Sequence, residues 1–186
     1  MITMDLKVVV NICGMGIGEE KVMLMVCDVA TTYRAAYCLK SRCTEEVVKA
    51  LTHFKGEDEI LRAFSDNADE LNAADEELGI EPIHPADYDH QANGFAERNV
   101  GLATDGIKRL LGHSGLPHKF WALAAGAWSD SANVVAVDDA EESAYRRRHG
   151  TAPIHRLYPF GARVGVRLPR EASPALPFEP GVVDCV

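Results

Sequence analysis

Two acidic residues stand where a folded chain can bring carboxylates together. Asp66 directly follows the mainly apolar run 60–65, which predicts a strand, and Glu97 follows Asn93-Gly94, a pair typical of tight turns. Apolar residues recur at helical spacing beyond Glu97, which therefore lies in the first turn of a predicted helix. The simplest interpretation of Glu97 is a favourable interaction with the helix dipole. The other is that a strand-end carboxylate and a helix-start carboxylate meet over one metal ion.

Three motifs in chain order favour the second interpretation. They read Ser65-Asp66-Asn67-Ala68-Asp69-Glu70, then Asn93-Gly94-Phe95-Ala96-Glu97-Arg98, then Leu116-Pro117-His118-Lys119-Phe120-Trp121. In this order they resemble the catalytic core of retroviral-type integrases, and specifically of copia-type retrotransposon integrases. The resemblance covers nearly the whole chain. It implies an α/β, ribonuclease H-like fold, with a five-stranded mixed sheet in the order 3-2-1-4-5 and helices on both faces.

The order of the predicted elements agrees with that fold. Apolar and β-branched runs predict strands at 6–12, 22–29, 33–39, 60–65 and 80–84. Helical spacing predicts a helix capped by Thr44 and ended by Gly56, and further helices at 73–78, 95–112 and 117–135. The spaced glycines of 14–18 lead into a strand, whereas a phosphate loop must lead into a helix, so they predict a hairpin.

The resemblance implies a metal-dependent polynucleotidyl transfer that joins element DNA to target DNA. Two Mg²⁺ or Mn²⁺ ions require about three carboxylates, and Asp66 and Glu97 supply two. The third candidate is Asp5 or Asp28, with the amide of Asn11 as a weaker alternative. In the implied strand order Asp28 ends strand two, about 10 Å from strand four, whereas Asp5 starts the adjacent strand one. This spacing favours Asp5, and the hairpin would place Asp28 roughly across from it.

The same resemblance implies contacts with nucleic acid. Asn67 corresponds to the family's residue beside the metal, and Gln91 and Asn93 correspond to its loop at the DNA end. Arg98 has two equally good interpretations, which are a phosphate contact and packing against its own helix. The implied partners are element ends and target DNA, bound by a homo-oligomer. The implied location is the nucleus, after a cytoplasmic particle stage.

Composition and charge limit these expectations. The net charge is −9, with 12 Lys and Arg against 25 Asp and Glu in residues 1–145, and 7 against 3 in 146–186. DNA-binding surfaces are usually basic, so we expect weak DNA affinity for this chain alone. The basic run 146–148 is either a solvated segment or a phosphate contact. No run of about eighteen apolar residues occurs, so no membrane span is expected.

The cysteines and the thinning pattern after residue 137 suggest how the chain is divided. The five cysteines form no Cys-x-x-Cys pair, so reduced thiols are expected, without a zinc site. The family's separate zinc-binding domain is therefore not expected here, and the chain resembles a core from a longer polyprotein. The expected division is a catalytic core at 1–140 and an extended basic segment at 141–186.

Departures from the family pattern keep other functions open. Ala68 and Asp69 stand where the family usually has a glycine, and only 30 residues separate Asp66 from Glu97. The helix after Glu97 also has few cations. One alternative is therefore a decayed or host-retained integrase remnant acting as a non-catalytic interaction domain. Another is a ribonuclease H-type nuclease, which the motif around Glu97 disfavours.

Overall fold

The computed structural model of the protein describes residues 1–10, 14–84, 94–135, 142–154, 157–167 and 182–185. Within these ranges the strands are β1 (Ile2–Val8), β2 (Val22–Asp28), β3 (Arg34–Leu39), β4 (Arg62–Phe64), β5 (Glu81–Ile83), β6 (Val164–Arg167) and β7 (Val182–Cys185). The helices are α1 (Thr44–Lys55), α2 (Asp69–Leu78), α3 (Gly94–Ser114), α4 (Trp121–Val135) and α5 (Ala144–His149). A 3₁₀ turn over His118–Phe120 leads into α4.

The first five strands form one mixed sheet in the order β3-β2-β1-β4-β5. β1, β2 and β3 pair as an antiparallel meander, and β4 lies parallel to both β1 and β5. This order confirms the predicted sheet, including the adjacency of strands one and four. Strands β6 and β7 pair separately as an antiparallel hairpin.

Two apolar cores lie on the two faces of this sheet because successive strand residues point to opposite faces. On one face, Ile2, Met4 and Leu6 of β1 pack with apolar residues of α1 and α2. On the other face, Met23 and Met25 of β2 pack with α3 and α4. Each fully buried Leu or Val contributes about 1.5–3 kcal/mol relative to exposure, so both helix layers are held by their apolar stripes.

Side chains of α4 cover the outer edge of β3. The Arg34 N–H donates to Asn133 Oδ1 (2.8 Å), and Asn133 Nδ2 donates back to the Arg34 carbonyl (2.7 Å). The Ala36 N–H donates to Ser129 Oγ (2.9 Å). The Asn133 amide thus pairs with the backbone as a neighbouring strand would. It satisfies groups that an open sheet edge leaves unpaired.

Several predicted boundaries are wrong. Strand one was expected at 6–12, but β1 ends at Val8, because the Val9 and Val10 N–H groups both donate to the Lys21 carbonyl and interrupt the ladder. Asp5 therefore lies in the middle of β1. Thr44 is not a cap, since Cys43 holds the N-cap position without a side-chain bond. Helix α2 begins four residues earlier than expected, at Asp69.

The basic run 146–148 is neither fully solvated nor free for phosphate. The Arg148 side chain is only 8% exposed and pairs with Asp58 at 3.3 Å. Its guanidinium lies 4.3 Å from the Phe54 ring centre and 4.9 Å from that of Tyr33. Arg146 is exposed and lies beside Glu142. Arg148 therefore anchors α5 to the end of α1. The proposed domain boundary at 140 falls within 136–141, outside the described residues.

Candidate active site

Parallel pairing places Asp5 and Asp66 at the same level of the sheet. The register pairs Thr3 of β1 with Phe64 of β4. Asp5 and Asp66 each come two residues later and so share the face of their paired neighbours. Adjacent strands lie about 4.8 Å apart, so continuing this register brings the two carboxylates side by side.

Helix α3 covers this face and carries Glu97 in its first turn. Lys7, two residues beyond Asp5 on β1, donates from Nζ to Thr104 Oγ1 of α3 at 2.9 Å. Glu97 lies seven residues before Thr104, which is about two helical turns along the same side of the helix. Because Lys7 contacts Thr104, the first turn of α3 lies near the level of Asp5 on the sheet. The Glu97 side chain in that turn is exposed.

Electrostatics show that the three acids lie close enough to interact. Burial raises the pKa of Asp5, and the negative charges of Asp66 and Glu97 raise it further. The backbone N–H of Leu6 and the ammonium of Lys7 oppose this rise. A raised pKa at Asp5 is the expected result of clustering three carboxyl groups without a cation. The metal-ligand roles of the three residues stay a prediction.

The oxygen atoms of these carboxylates are suitable ligands for a hard cation, although the side chains are not arranged around a common point. Among the described residues, no three His, Cys, Asp or Glu side chains are arranged to hold a metal ion. Asp66 Oδ1, however, is buried and has no hydrogen-bond partner among the residues that the structure describes. Asp5 has its charged form disfavoured by burial and like charges. Both features indicate a site short of positive charge, which a divalent cation supplies.

Asp28 lies in a different environment. We expected it roughly across from Asp5, and this is wrong, since it pairs with Ile2. The observed pairs centre the hairpin on residue 15. A pair between Asp5 and Asp28 would need a centre between residues 16 and 17, so the register differs from our expectation by three residues. Asp28 therefore shares the opposite face with Ile2. Its carboxylate accepts bonds from the N–H groups of Ala30 (3.3 Å) and Thr31 (3.2 Å) and stabilises the β2–β3 turn.

Two of the four predicted DNA-contacting residues lie in the described ranges. Asn67 is exposed directly after Asp66, and its Oδ1 accepts a bond from Asn72 Nδ2 at 2.8 Å. Arg98 is exposed beside Glu97 on α3. The other two, Gln91 and Asn93, fall outside the described residues, as does the weaker ligand candidate Asn11. Asn67 and Arg98 thus flank the acids and are accessible to a partner.

A polar network missed by the sequence interpretation holds the first turn of α3. Arg34 Nε donates to Asn99 Oδ1 (2.8 Å), and Asn99 Nδ2 donates to the Phe95 carbonyl (2.9 Å). Asn99 is only 3% exposed. A hydrogen bond to a charged group contributes about 1.5–3 kcal/mol, so β3 fixes the turn that carries Glu97. The available signal was an asparagine within the apolar stripe of a predicted helix.

The architecture is the ribonuclease H-like fold of integrase catalytic cores. The catalytic core domain of BIV integrase is similar with a TM-score of 0.56 at 16% identity, over 78% of this chain and 91% of that one. A chain of the simian T-cell lymphotropic virus intasome in complex with PP2A regulatory subunit B56 gamma is similar with a TM-score of 0.63 at 14% identity. That match covers 88% of this chain and 60% of the other. No protein-family model and no curated protein sequence matches this chain.

Proposed function

We propose that this chain is the catalytic core of a copia-type retrotransposon integrase, which joins element DNA to target DNA by metal-dependent polynucleotidyl transfer. The observation that carries the proposal is the parallel register of Thr3 with Phe64, which, continued by two residues, brings Asp5 beside Asp66 beneath the helix that bears Glu97. The raised pKa of Asp5, caused by burial and then by its two acidic neighbours, supports it. The likeness to integrase cores supports the fold.

The proposed work of the protein side chains is to hold charge and orientation. Asp5, Asp66 and Glu97 would hold two Mg²⁺ or Mn²⁺ ions, which when bound supply Lewis-acid stabilisation of the attacking and leaving oxygens. Asp66 Oδ1 lacks a hydrogen-bond partner among the described residues, so a bound ion would satisfy it. The bond from Arg34 to Asn99 keeps the α3 turn in position.

The proposed partners are element ends and target DNA, bound by a homo-oligomer in the nucleus. Asn67 and Arg98 would contact the DNA backbone next to the acids, together with Gln91 and Asn93 of the preceding loop. The intasome likeness supports oligomeric DNA binding, and no helix of the described residues is long and apolar enough to cross a membrane. Because the net charge is −9, we expect the chain alone to bind duplex DNA weakly.

Metal-dependent stabilisation and strand transfer test the proposal. Mg²⁺ or Mn²⁺ at a hundredfold excess over its Kd should raise the free energy of unfolding by about 3 kcal/mol. Asp66→Asn and Asp5→Asn should remove that gain and reduce transfer of a labelled oligonucleotide by about 100-fold or more. The matched control is Asp105→Asn, since Asp105 is an exposed acid of α3 whose ion pair in the described part of the chain is with Lys108. It should leave both readouts unchanged.

Other results of these assays would support the alternative functions or the alternative metal ligand. If neither ion changes the melting temperature and the three variants behave alike, the chain is a non-catalytic remnant. Cleavage of an RNA–DNA hybrid without strand transfer would instead indicate the ribonuclease H-type nuclease. Comparable losses in Asp28→Asn and Asp5→Asn would contradict the assignment of Asp5, because Asp28 lies on the opposite face of the sheet.

A further inference from the structure

A cavity separate from the acidic cluster lies between the sheet and helices α3 and α4. Its volume is about 380 Å³, which is within the range of small-molecule sites. Most of its lining is apolar, and the apolar residues are Val9, Met23, Ile107, Leu111, Leu116 and Trp121. Asp5, Asp66 and Glu97 are not among the lining residues. A void of this kind is suited to a flat apolar group, which would recover the dispersion contacts that the lining lacks.

The polar groups of the cavity select for an anion. Lys7 lines it, and the only hydrogen bond of its ammonium within the described ranges goes to the uncharged hydroxyl of Thr104. The nearest acid on its strand, Asp5, is affected by the Lys7 charge but makes no hydrogen bond to Lys7 among the described residues. Lys108 adds a second cation at the lining. A carboxylate in the cavity would give Lys7 a charged partner.

Trp121 adds a buried donor to the residues around the cavity. This residue lines the cavity and is only 1% exposed. Its indole Nε1–H has no acceptor among the residues that the structure describes. A buried donor without a partner costs free energy, so an added acceptor is favourable. Apolar walls, the two cations Lys7 and Lys108, and one unmatched donor together define the ligand.

We propose that this cavity binds a small molecule with a flat apolar body and one carboxylate, whose charge is met by Lys7. The site depends on β1, β2, α3 and α4, and not on the acids of the proposed catalytic centre. Ligand binding can therefore be measured without the strand-transfer assay, and its absence would not bear on the proposed catalytic function.

Three matched probes test the charge preference. They are biphenyl-4-carboxylate, the neutral biphenyl-4-methanol and the cationic biphenyl-4-methylamine, each titrated into the whole chain by calorimetry. The acid should bind about tenfold more tightly than the alcohol, because a charged hydrogen bond is gained, and the amine should bind least. Lys7→Met should lower the affinity for the acid to that for the alcohol and leave the affinity for the alcohol unchanged.

Substitutions at two glycines of α3 test where the ligand binds. A Cβ at Gly112 or at Gly101 meets no atom within 4 Å, so leucine is accommodated at either position. Only Gly112 lines the cavity. Both substitutions should stabilise the helix by a similar amount, since each replaces glycine within it. Gly112→Leu should reduce acid binding at least about tenfold by filling the cavity, and Gly101→Leu should leave it unchanged.

The remaining outcomes overturn the proposal. If none of the three probes binds, the cavity is not a ligand site. Equal affinities for acid, alcohol and amine would show an apolar void without charge selection. Acid binding that survives Gly112→Leu would place the ligand elsewhere on the protein.

Discussion

The two faces of strand β1 differ in what they are built from. Ile2, Met4 and Leu6 face α1 and α2 within a continuous apolar core. The alternating residues Thr3, Asp5 and Lys7 face α3 and α4, where the acids converge and the cavity lies. A single strand thus serves stability on one side and the proposed chemistry on the other. The side facing α1 and α2 is therefore apolar throughout this strand, whereas the side facing α3 and α4 combines an apolar core with the polar residues of β1.

The largest expected effect is the loss of stability when a core leucine is truncated on either face of the sheet. Leu51 of α1 is fully buried in the closely packed core, whereas Leu111 of α3 borders the cavity. Leu51→Ala should lower the free energy of unfolding by about 4 kcal/mol, and Leu111→Ala by about 2 kcal/mol, because Leu111 already lacks some neighbours. Urea denaturation of both variants measures the difference. Equal losses would show that the two faces are packed alike.

A smaller effect concerns the one acid buried on the apolar side. Asp75 of α2 is 0% exposed, and neither carboxylate oxygen has a hydrogen-bond partner in the described ranges. Burial raises its pKa from 3.8 to about 7. The native state therefore keeps a proton that the unfolded state releases near pH 4. Stability should fall as pH rises between these two values, and the difference of about three pH units limits the total loss from this residue to about 4 kcal/mol.

Asp75→Asn tests this dependence, because the amide cannot titrate. Urea denaturation from about pH 4.5 to 7.5 should show a smaller loss of stability in the variant than in the unmodified chain. The control is Asp69→Asn, which replaces an exposed acid in the first turn of the same helix. A slope unchanged by Asp75→Asn would mean that Asp75 is hydrated in solution.

The smallest effect tests the polar face at its sheet edge. Asn133→Ala leaves the Arg34 N–H and carbonyl without their α4 partner, so it should cost about 2 kcal/mol. Asp130→Ala, at an exposed position of the same helix, should change stability by less than about 0.5 kcal/mol. Hydrogen exchange at the Arg34 amide gives a local readout. Unchanged protection of that amide in Asn133→Ala would contradict the edge-covering role.

Much of the fold could be predicted because its signals are local. Gly56 ends helix α1 as expected, and the glycine-spaced loop after β1 leads into β2. The strand boundaries were less accurate, since an apolar run marks a strand without marking where its ladder stops. The end of β1 depends on how Val9 and Val10 share one carbonyl of Lys21. No local pattern encodes that contact between distant residues.

For the candidate site, the sequence by itself determined the residue types, since carboxylates at a strand, a strand end and a helix start predict a shared metal chemistry. The expected sheet order came from the resemblance that the three motifs carry, and the order of the predicted elements agrees with it. Only the tertiary structure decided the register that separates Asp28 from Asp5, the network from Arg34 to Asn99, and the cavity beside Lys7. The physical reason is that register and packing depend on pairs of residues far apart in the chain. A shift of a few residues in such a pairing reassigns which side chains meet and can send them to opposite faces.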